Sequence, residues 1–242
     1  MSLKNLSATT KIHKSLIKKL QDNRINKIYK KFEKSIGIAE NFAVAVSGGP
    51  DSLALAFLAK VFSIKNNLSP KFFIVDHKLR SESTMEAKKI KKILNQLAIN
   101  SEILTWRGKK PSKNIQSTAR NKRYQLIFSE CNRYYIKSIL LGHHQDDLLE
   151  NFFIRILRGS GLKGLVSLDK KTKINNKYLL RPLLDQKKED LIFISKKIFN
   201  FYVQDPSNNN EKYLRIRVRK LIDNLQKDGL DKEKLYKTIS NL

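Results

Sequence analysis

Strands alternating with helices through residues 42–160 predict an α/β fold, a doubly wound, mainly parallel sheet with flanking helices at both ends. Three stretches carry that prediction. Phe42–Val46, Lys71–Asp76 and residues 138–141 are short apolar runs of buried-strand length. Each ends in small or polar residues and gives way to a helical pattern. Polar groups just past the carboxyl end of a strand are where open sheets of this kind bind ligands.

The N-terminal region comes first. Residues 1–10 are polar and read as loose. Ile12, Leu16, Leu20, Ile25, Ile28, Phe32 and Ile36 then recur at helical spacing, predicting one or two amphipathic helices with a break at Asp22-Asn23. Lys and Arg fill the opposite face. The preferred reading is a solvated face on a packing helix; a contribution to RNA binding is the alternative.

The first strand opens into Ser47-Gly48-Gly49-Pro50-Asp51-Ser52, and Leu53, Leu55, Ala56, Leu58 and Ala59 then form the inner face of a helix. Such a small loop can aim several backbone N–H groups at one anion, and the helix adds its positive N-terminal end. This is a phosphate or pyrophosphate site. It is not a Walker A loop, because the Gly-Lys-Ser/Thr ending is missing. Asp51 stands where that loop has its Lys. A carboxylate facing a polyphosphate calls for a magnesium ion between them.

The second strand runs into Asp76-His77-Lys78-Leu79-Arg80. The next helix has Ser83 as its cap and Glu86 at the capping-box position. Residues 101–106 read as a third strand, and Lys109-Lys110-Pro111-Ser112-Lys113 as a basic loop. The helical stretch 114–135 carries Arg120 and Arg123, three apart and so on one face, where two guanidinium groups suit a phosphate.

The fourth strand, 138–141, leads into Gly142-His143-His144-Gln145-Asp146-Asp147-Leu148-Leu149-Glu150. A helix starting near Gln145 brings Asp146, Asp147 and Glu150 together at spacings of three and four. So acidic a cluster on so basic a chain can hold magnesium or a cationic substrate. Helix-dipole preference accounts for Asp146 and Asp147 but not for Glu150 or the histidines. A zinc site is disfavoured, because the spacing is not His-Glu-x-x-His.

Arg158-Gly159-Ser160-Gly161-Leu162-Lys163-Gly164 matches G-x-G-x-x-G, yet it comes after a helical pattern and not a strand. The dinucleotide reading therefore fails, and a loop that lets a polyanion backbone approach is preferred. Residues 178–184 read as a short strand and turn, 187–201 as a helix, and 205–210 as a turn in which Ser207 can cap the next helix. Residues 213–225 form that basic helix, with Arg215, Arg217 and Arg219 crowded together, and 230–242 a short helix at best.

The whole chain has 49 Lys+Arg against 22 Asp+Glu, a net charge of +27 in 242 residues. That predicts an anionic partner, most simply nucleic acid, although Lys-, Asn- and Ile-rich composition supplies part of the excess. Cys131 is the single cysteine, so no internal disulfide and no cysteine cluster can form within the sequence. A reducing, cytoplasmic setting is expected, with no membrane span and no obligate protein partner. The expected division is a basic helical extension at 1–40, a catalytic domain at 41–225 and a short helical tail at 226–242.

Ser-Gly-Gly-x-Asp-Ser between a strand and a helix resembles the PP-loop of the ATP pyrophosphatase superfamily. Taken with Asp76–Arg80, Ala119–Tyr124, Gly142–Glu150, Leu157–Leu165, Arg181–Leu184 and Asp205–Asn208, in that order, it resembles the tRNA(Ile)-lysidine synthase family over roughly residues 40–225. The resemblance implies a PP-loop type (adenine nucleotide alpha hydrolase-like) sheet. It also implies a reaction: ATP adenylates the C2 carbonyl oxygen of the wobble cytidine of a tRNA-Ile with anticodon CAU, and L-lysine displaces AMP to give lysidine.

On that resemblance Ser47, Gly48, Gly49, Pro50, Asp51, Ser52, Asp76 and His77 bind ATP, with Asp51 on Mg2+. Asp146, Asp147 and Glu150 recognise the lysine, and Asp51, Arg120, His143 and Asp147 are the catalytic candidates. One carboxylate or His143 takes the amine proton, the choice staying open. Arg158, Lys163, Arg215 and Arg217 are the tRNA-binding candidates. Two features depart from the family pattern. Glu150-Asn151 replaces an acid-plus-Thr ending, with the carboxylate kept. The sequence also stops soon after the core, where family members often carry further domains that grip tRNA; the basic N-terminal helices are a candidate substitute.

Two rival readings remain. Another PP-loop RNA-modifying or amidating ligase is one, although related cytidine thiolases need cluster cysteines and small-molecule ligases have no use for such charge. A catalytically degenerate RNA-binding protein is the other, against which the intact loop and acidic cluster argue.

Overall fold

β1 (Phe42–Val46) lies inside the sheet because both of its faces are apolar. Phe42, Val44 and Val46 join one core cluster, and Ala43 joins another on the opposite face. The computed structural model describes residues 3–108, 111, 114–203 and 210–242, with side chains from residue 8 onward. The remaining strands are β2 (Lys71–Asp76), β3 (Ser101–Thr105), β4 (Ser138–Leu140), β5 (Lys171–Ile174) and β6 (Lys177–Leu180). They form one six-stranded sheet in the order β3-β2-β1-β4-β6-β5. All neighbours are parallel except β5, which pairs antiparallel with β6. The doubly wound, mainly parallel sheet read from the alternation is the one observed.

The hairpin at the sheet edge has no signal in the sequence pattern. Asn175 and Asn176 both take positive φ (46° and 59°), as a tight two-residue hairpin turn requires. Lys171–Ile174 is mostly exposed and polar, so no apolar run marks it as a strand.

The ten α-helices seen among the described residues are α1 (Leu3–Lys18), α2 (Asn23–Ile36), α3 (Pro50–Lys65), α4 (Ser83–Gln96), α5 (Ile115–Arg133), α6 (Gln145–Leu157), α7 (Leu162–Leu165), α8 (Lys188–Phe199), α9 (Leu214–Lys227) and α10 (Lys232–Ser240). The expected break at Asp22 is real. A 3-10 turn, Lys19–Gln21, ends the first helix, and the Asp22 carboxylate caps the second by accepting from Arg24 N at 2.9 Å and Ile25 N at 3.1 Å.

Three local readings are corrected. Residues 1–10 are not loose over their described part, since α1 begins at Leu3; sparse apolar spacing there gives no signal, and the packed turn around Leu16 carries the helix. Ser83 does not cap α4. Its hydroxyl donates to Asp76 Oδ1 at 2.8 Å, while Glu86 pairs with Arg80 at 3.0 Å, so no capping box forms. The glycine-rich stretch is a loop only as far as Gly161, after which α7 makes one helical turn. The basic loop at Lys109, Lys110, Ser112 and Lys113, and the turn at 205–209 with its Ser207 cap, lie outside the described residues.

Helices cover both faces of the sheet. The larger core joins α2, α3, α4 and α8 to one face. α5 covers the other through Ile127 and Cys131, against Phe73, Ile139 and Leu179. Burial pushes the Cys131 thiol up to about 12, leaving it an inert core group. A third cluster holds α9 and α10 against α6 through Leu149, Val218, Ile222 and Ile239. No helix among the described residues is long and apolar enough to cross a membrane.

The N-terminal pair is built into this core. Phe32 is fully buried and meets the edge of Phe62 of α3 at a centroid distance of 6.2 Å. Phe32→Ala is expected to destabilise the protein by about 3–5 kcal/mol in denaturant unfolding. A loss below about 1 kcal/mol would show that α2 is peripheral to the cooperative unit.

Candidate nucleotide and amine site

β1 and β4 are neighbours, and the chain leaves them toward helices that stand apart, α3 and α6. The crevice beyond their carboxyl ends is the sheet's switch point, where ligands bind in open α/β sheets. Both motif-bearing loops open there.

The first loop is pinned by one hydroxyl. Ser52 Oγ accepts from the Ser47 and Gly48 amides, each at 3.1 Å, and donates to the Gly49 carbonyl at 3.0 Å. Ser47 Oγ lies 3.2 Å from it. Pro50 starts α3, where a missing N–H costs no helical hydrogen bond. Ser195 of α8 donates to the Pro50 carbonyl at 2.6 Å, and Val203 N to the Gly48 carbonyl at 2.9 Å. Gly48 sits at φ +86°, and a Cβ there would meet Ile90 Cδ1 at 2.2 Å. Gly142, two residues past β4, lets the second loop approach this one: a Cβ there would lie 3.2 Å from Ser52 N.

Asp51 stands in the first turn of α3 and is partly exposed. Its Oδ1 is buried and makes no hydrogen bond among the described residues. Its Oδ2 lies 3.6 Å from Nε2 of His144. The same Nε2 lies 3.5 Å from Asp147 Oδ2. His144 Nδ1 accepts from Asp146 N at 3.2 Å, and His144 N donates to Asp147 Oδ2 at 2.9 Å, a reciprocal cap for α6. Since Nδ1 accepts, Nε2 carries the proton and faces both carboxylates. Burial would lower the imidazole pKa, but Asp51, Asp147 and Asp146 outweigh it and the pKa is raised.

Behind this bridge lies an ion-pair network. Arg215 of α9 donates to Asp147 and Glu150, and Arg219 to Glu150 at 2.7 and 2.8 Å. Glu150 is only 2 % exposed, so the two guanidinium groups are what permits its charge. Burial would raise the Asp147 carboxyl, yet His144, Arg215 and His143 hold it down at about 2. His143 is opposite in character. Burial, with the nearby charges of Arg181, Arg215 and Arg120, pushes it down to about 4 against the pull of Asp147. Its Nδ1 accepts from Arg181 Nε at 3.2 Å. Arg181 is buried and also donates to the Asp169 carbonyl at 2.6 Å and to Thr172 Oγ1 at 2.8 Å, tying the site to β5.

The sequence candidates fall in three places. Ser47–Ser52, His143, Asp146, Asp147, Glu150 and Arg215 surround the switch point. Asp76 and His77 lie at the end of β2. There Asp76 accepts from Lys78 N, Ser83 Oγ and Thr84 Oγ1 at 2.7–3.0 Å, folding the loop that carries His77. His77 Nε2 accepts from Arg123 Nε at 3.4 Å, and its buried Nδ1 has no hydrogen-bond partner among the described residues. Arg120 is exposed on α5, over the ring of Tyr124, and its charge acts on His143 and Arg181. Arg158, Lys163 and Arg217 are exposed and outside the ion-pair network, Arg217 donating to the Glu211 and Lys212 carbonyls. Sequence reasoning does not single out His144, Arg181, Arg219 or Ser195 as site residues. Adjacent histidines ahead of two acids carry a signal for His144; nothing local marks Ser195.

Asp51 suits a divalent cation. A buried carboxylate oxygen without a donor, at a helix N-terminus beside a phosphate-type loop, is a hard oxygen ligand awaiting a charge. No group of three His, Cys, Asp or Glu that could hold a metal exists among the described residues. A magnesium ion here would therefore complete its shell with phosphate oxygens and water, as that ion prefers.

His77 gives a pH test. Burial first, and Arg123 second, push its pKa down to about 4 from an ordinary 6.5. Between those values the unfolded chain binds a proton that the folded chain refuses, so stability is lost as pH falls through that window. His77→Asn removes this contribution. The melting temperature of the variant is expected to rise relative to wild type as pH drops from 6.5 to 4, and a constant difference would contradict the buried neutral imidazole.

A family model described as a PP-loop domain matches residues 18–225. The curated tRNA(Ile)-lysidine synthase of Orientia tsutsugamushi is 42 % identical over 183 residues, covering 76 % of this chain and 41 % of that protein. The tRNA(Ile)-lysidine synthase of Bradyrhizobium diazoefficiens is 34 % identical over 206 residues, covering 84 % and 57 %. The chain thus spans about half the length of the curated relatives it matches. Among solved structures, the U34-tRNA thiolase NcsA of Methanococcus maripaludis superposes with a TM-score of 0.75 at 18 % identity, over 90 % of this chain and 78 % of that one, a likeness of fold. With a matching model over most of its length, and with loop, strand order and switch-point crevice in agreement, the chain belongs to the PP-loop family.

Proposed function

We propose that this chain carries out ATP-dependent ligation of L-lysine to C2 of the wobble cytidine, anticodon CAU, of a tRNA-Ile. The observation that carries the reading is the single crevice in which a PP-loop with a free carboxylate oxygen faces an acidic cluster across His144. One side suits a polyphosphate and the other a cationic amine. The relatives named tRNA(Ile)-lysidine synthase support the same pairing.

The chemistry needs both halves. The cytosine C2 oxygen attacks the α-phosphorus of ATP and pyrophosphate leaves. This converts a poor leaving group into AMP. The lysine ε-amine then attacks C2, the C2–O bond to AMP breaks, and the amine gives up a proton. Ser47–Ser52 hold the phosphates at the α3 N-terminus, and a magnesium ion on Asp51 would offset polyphosphate charge. Arg120 would meet charge on the α-phosphate. Asp146 and Asp147 would attract the amine's ammonium form, while Glu150 holds Arg215 and Arg219. At a pKa of about 4 and with Nδ1 occupied, His143 is a weak base and better suited to donate from Nε2. Asp147, held at about 2, is a ligand for a cation and not a strong proton acceptor. A cytoplasmic setting follows from the substrates.

Incorporation of labelled lysine tests the reading. Two transcripts, isoleucine and methionine tRNA both bearing CAU, are incubated with ATP, magnesium and protein. Label is expected in the isoleucine tRNA, reduced at least ~100-fold by Asp51→Ala. No label in either tRNA, with protein and nucleotide intact, would refute the assignment.

A further inference from the structure

We infer that the outer face of α1 and α2 is a binding surface for the phosphate backbone of the RNA substrate, away from the nucleotide that reacts. The inference rests on the proposed tRNA substrate. Sequence spacing alone favours a merely solvated face; the packing changes that preference.

From Lys11 to Lys34 there are nine lysines and arginines and two acids, Asp22 and Glu33. Both acids are taken by lysines from other elements. Asp22 pairs with Lys197 of α8, and Glu33 with Lys65 of α3 at 2.9 Å. On α2, Ile25, Ile28, Tyr29, Phe32 and Ile36 are buried. Lys27, Lys30, Lys31 and Lys34 are exposed on the opposite side, at spacings of three, four and seven. Lys11, Lys14 and Lys18 repeat the pattern on α1 at three and seven. Like charges at these spacings destabilise a helix. A face kept only for solubility would mix signs, as in ordinary surface helices. Lys27, Lys31 and Lys34 form no ion pair among the described residues.

A second feature marks one end of this face. At the α1–α2 corner a groove of about 270 Å³ is lined by Ser15, Lys18, Lys19, Gln21 and Lys197, together with Asp22 and the apolar Ile25. Five of those seven present hydrogen-bond donors, and Asp22 is neutralised by Lys197. Its chemistry fits a phosphate. The groove shares an element with the phosphate loop. Lys197 stands two residues past Ser195 on α8, and the Ser195 hydroxyl holds the Pro50 carbonyl of that loop at 2.6 Å. The stripe therefore starts beside the helix that braces the site and runs on along α2, about 20 Å for its 14 residues. An RNA whose reactive base enters the crevice can lay its backbone along this track.

The test compares two quadruple variants in tRNA binding as a function of KCl. One carries Lys27→Gln, Lys30→Gln, Lys31→Gln and Lys34→Gln, a change that preserves helix propensity. The other carries the same four-charge loss at the exposed Lys137, Lys173, Lys227 and Lys237. Melting temperature and nucleotide affinity, measured on both, establish that each is folded. The stripe variant is expected to bind isoleucine tRNA at least ~10-fold more weakly near physiological salt, with the salt slope reduced by about three. The second variant is expected to stay within about twofold of wild type. Equal losses in both variants, or none in the stripe variant, would overturn the inference, since total charge or another face would then account for binding. Failure of the wild type to bind tRNA would overturn it together with the tRNA reading. Stripe-dependent binding without lysine incorporation would sink the ligase reading and uphold the surface.

Discussion

One buried imidazole links the two halves of this site. His144 Nε2 stands within 3.6 Å of a carboxylate from the phosphate loop and a carboxylate from α6. Two carboxylates converging on a crevice repel each other, which leaves uncompensated charge at the loop junction unless a donor stands between them. The imidazole prevents this while capping α6 through its other nitrogen. Its position depends on β1 and β4 being neighbours and on Gly142 lacking a side chain where the second loop grazes the first. Sheet order, loop contact and charge state are thus one constraint seen at three scales.

The two histidines of the pair have opposite environments, and that separates their roles. His144 faces acids and holds its proton more strongly than a free imidazole. His143, one residue earlier, loses it first through burial and then through Arg181, Arg215 and Arg120, against the pull of Asp147. Neighbouring titratable groups pushed apart in this way are a common sign of divided labour at a site. In the sequence the pair as a whole looks catalytic, and His143 stands for it. Nothing in a one-dimensional spacing says which imidazole turns toward the carboxylates. That is fixed by the α6 cap, a backbone geometry.

The same division runs through the fold. β1, β2 and the ligand loops at their carboxyl ends were legible, because buried parallel strands must be apolar on both faces and leave their loops at one end; the strand order that makes a switch point was not. β5 was not, because an exposed edge strand with Lys and Thr needs no apolar pattern. At the site, every residue of the phosphate loop was legible from small side chains in sequence, whereas Arg181, Arg219 and Ser195 reach it from distant segments. Arg215, with its basic neighbours, reads in sequence as an RNA contact. Its guanidinium lies on Asp147 and Glu150, 68 and 65 residues away, a placement only tertiary packing of α9 on α6 supplies.

On the proposed function, that arginine network bears on how a cationic substrate would enter. Asp147 and Glu150 are already neutralised by Arg215 and Arg219, so an incoming ammonium group meets a site with little net charge to spare. Glu150 is too buried to change partners without carrying its desolvation penalty. Asp147 is better placed, because His144 and the half-exposed Arg215 share it and Arg215 can swing outward. Asp146 instead lines a hollow between α6, α9 and α10, with Glu150, Arg219, Asp223 and Lys232. On the proposed reading, an amine would therefore meet Asp147, beside the imidazole that also faces Asp51. An Arg215 displaced in that event would turn its charge outward, toward solvent.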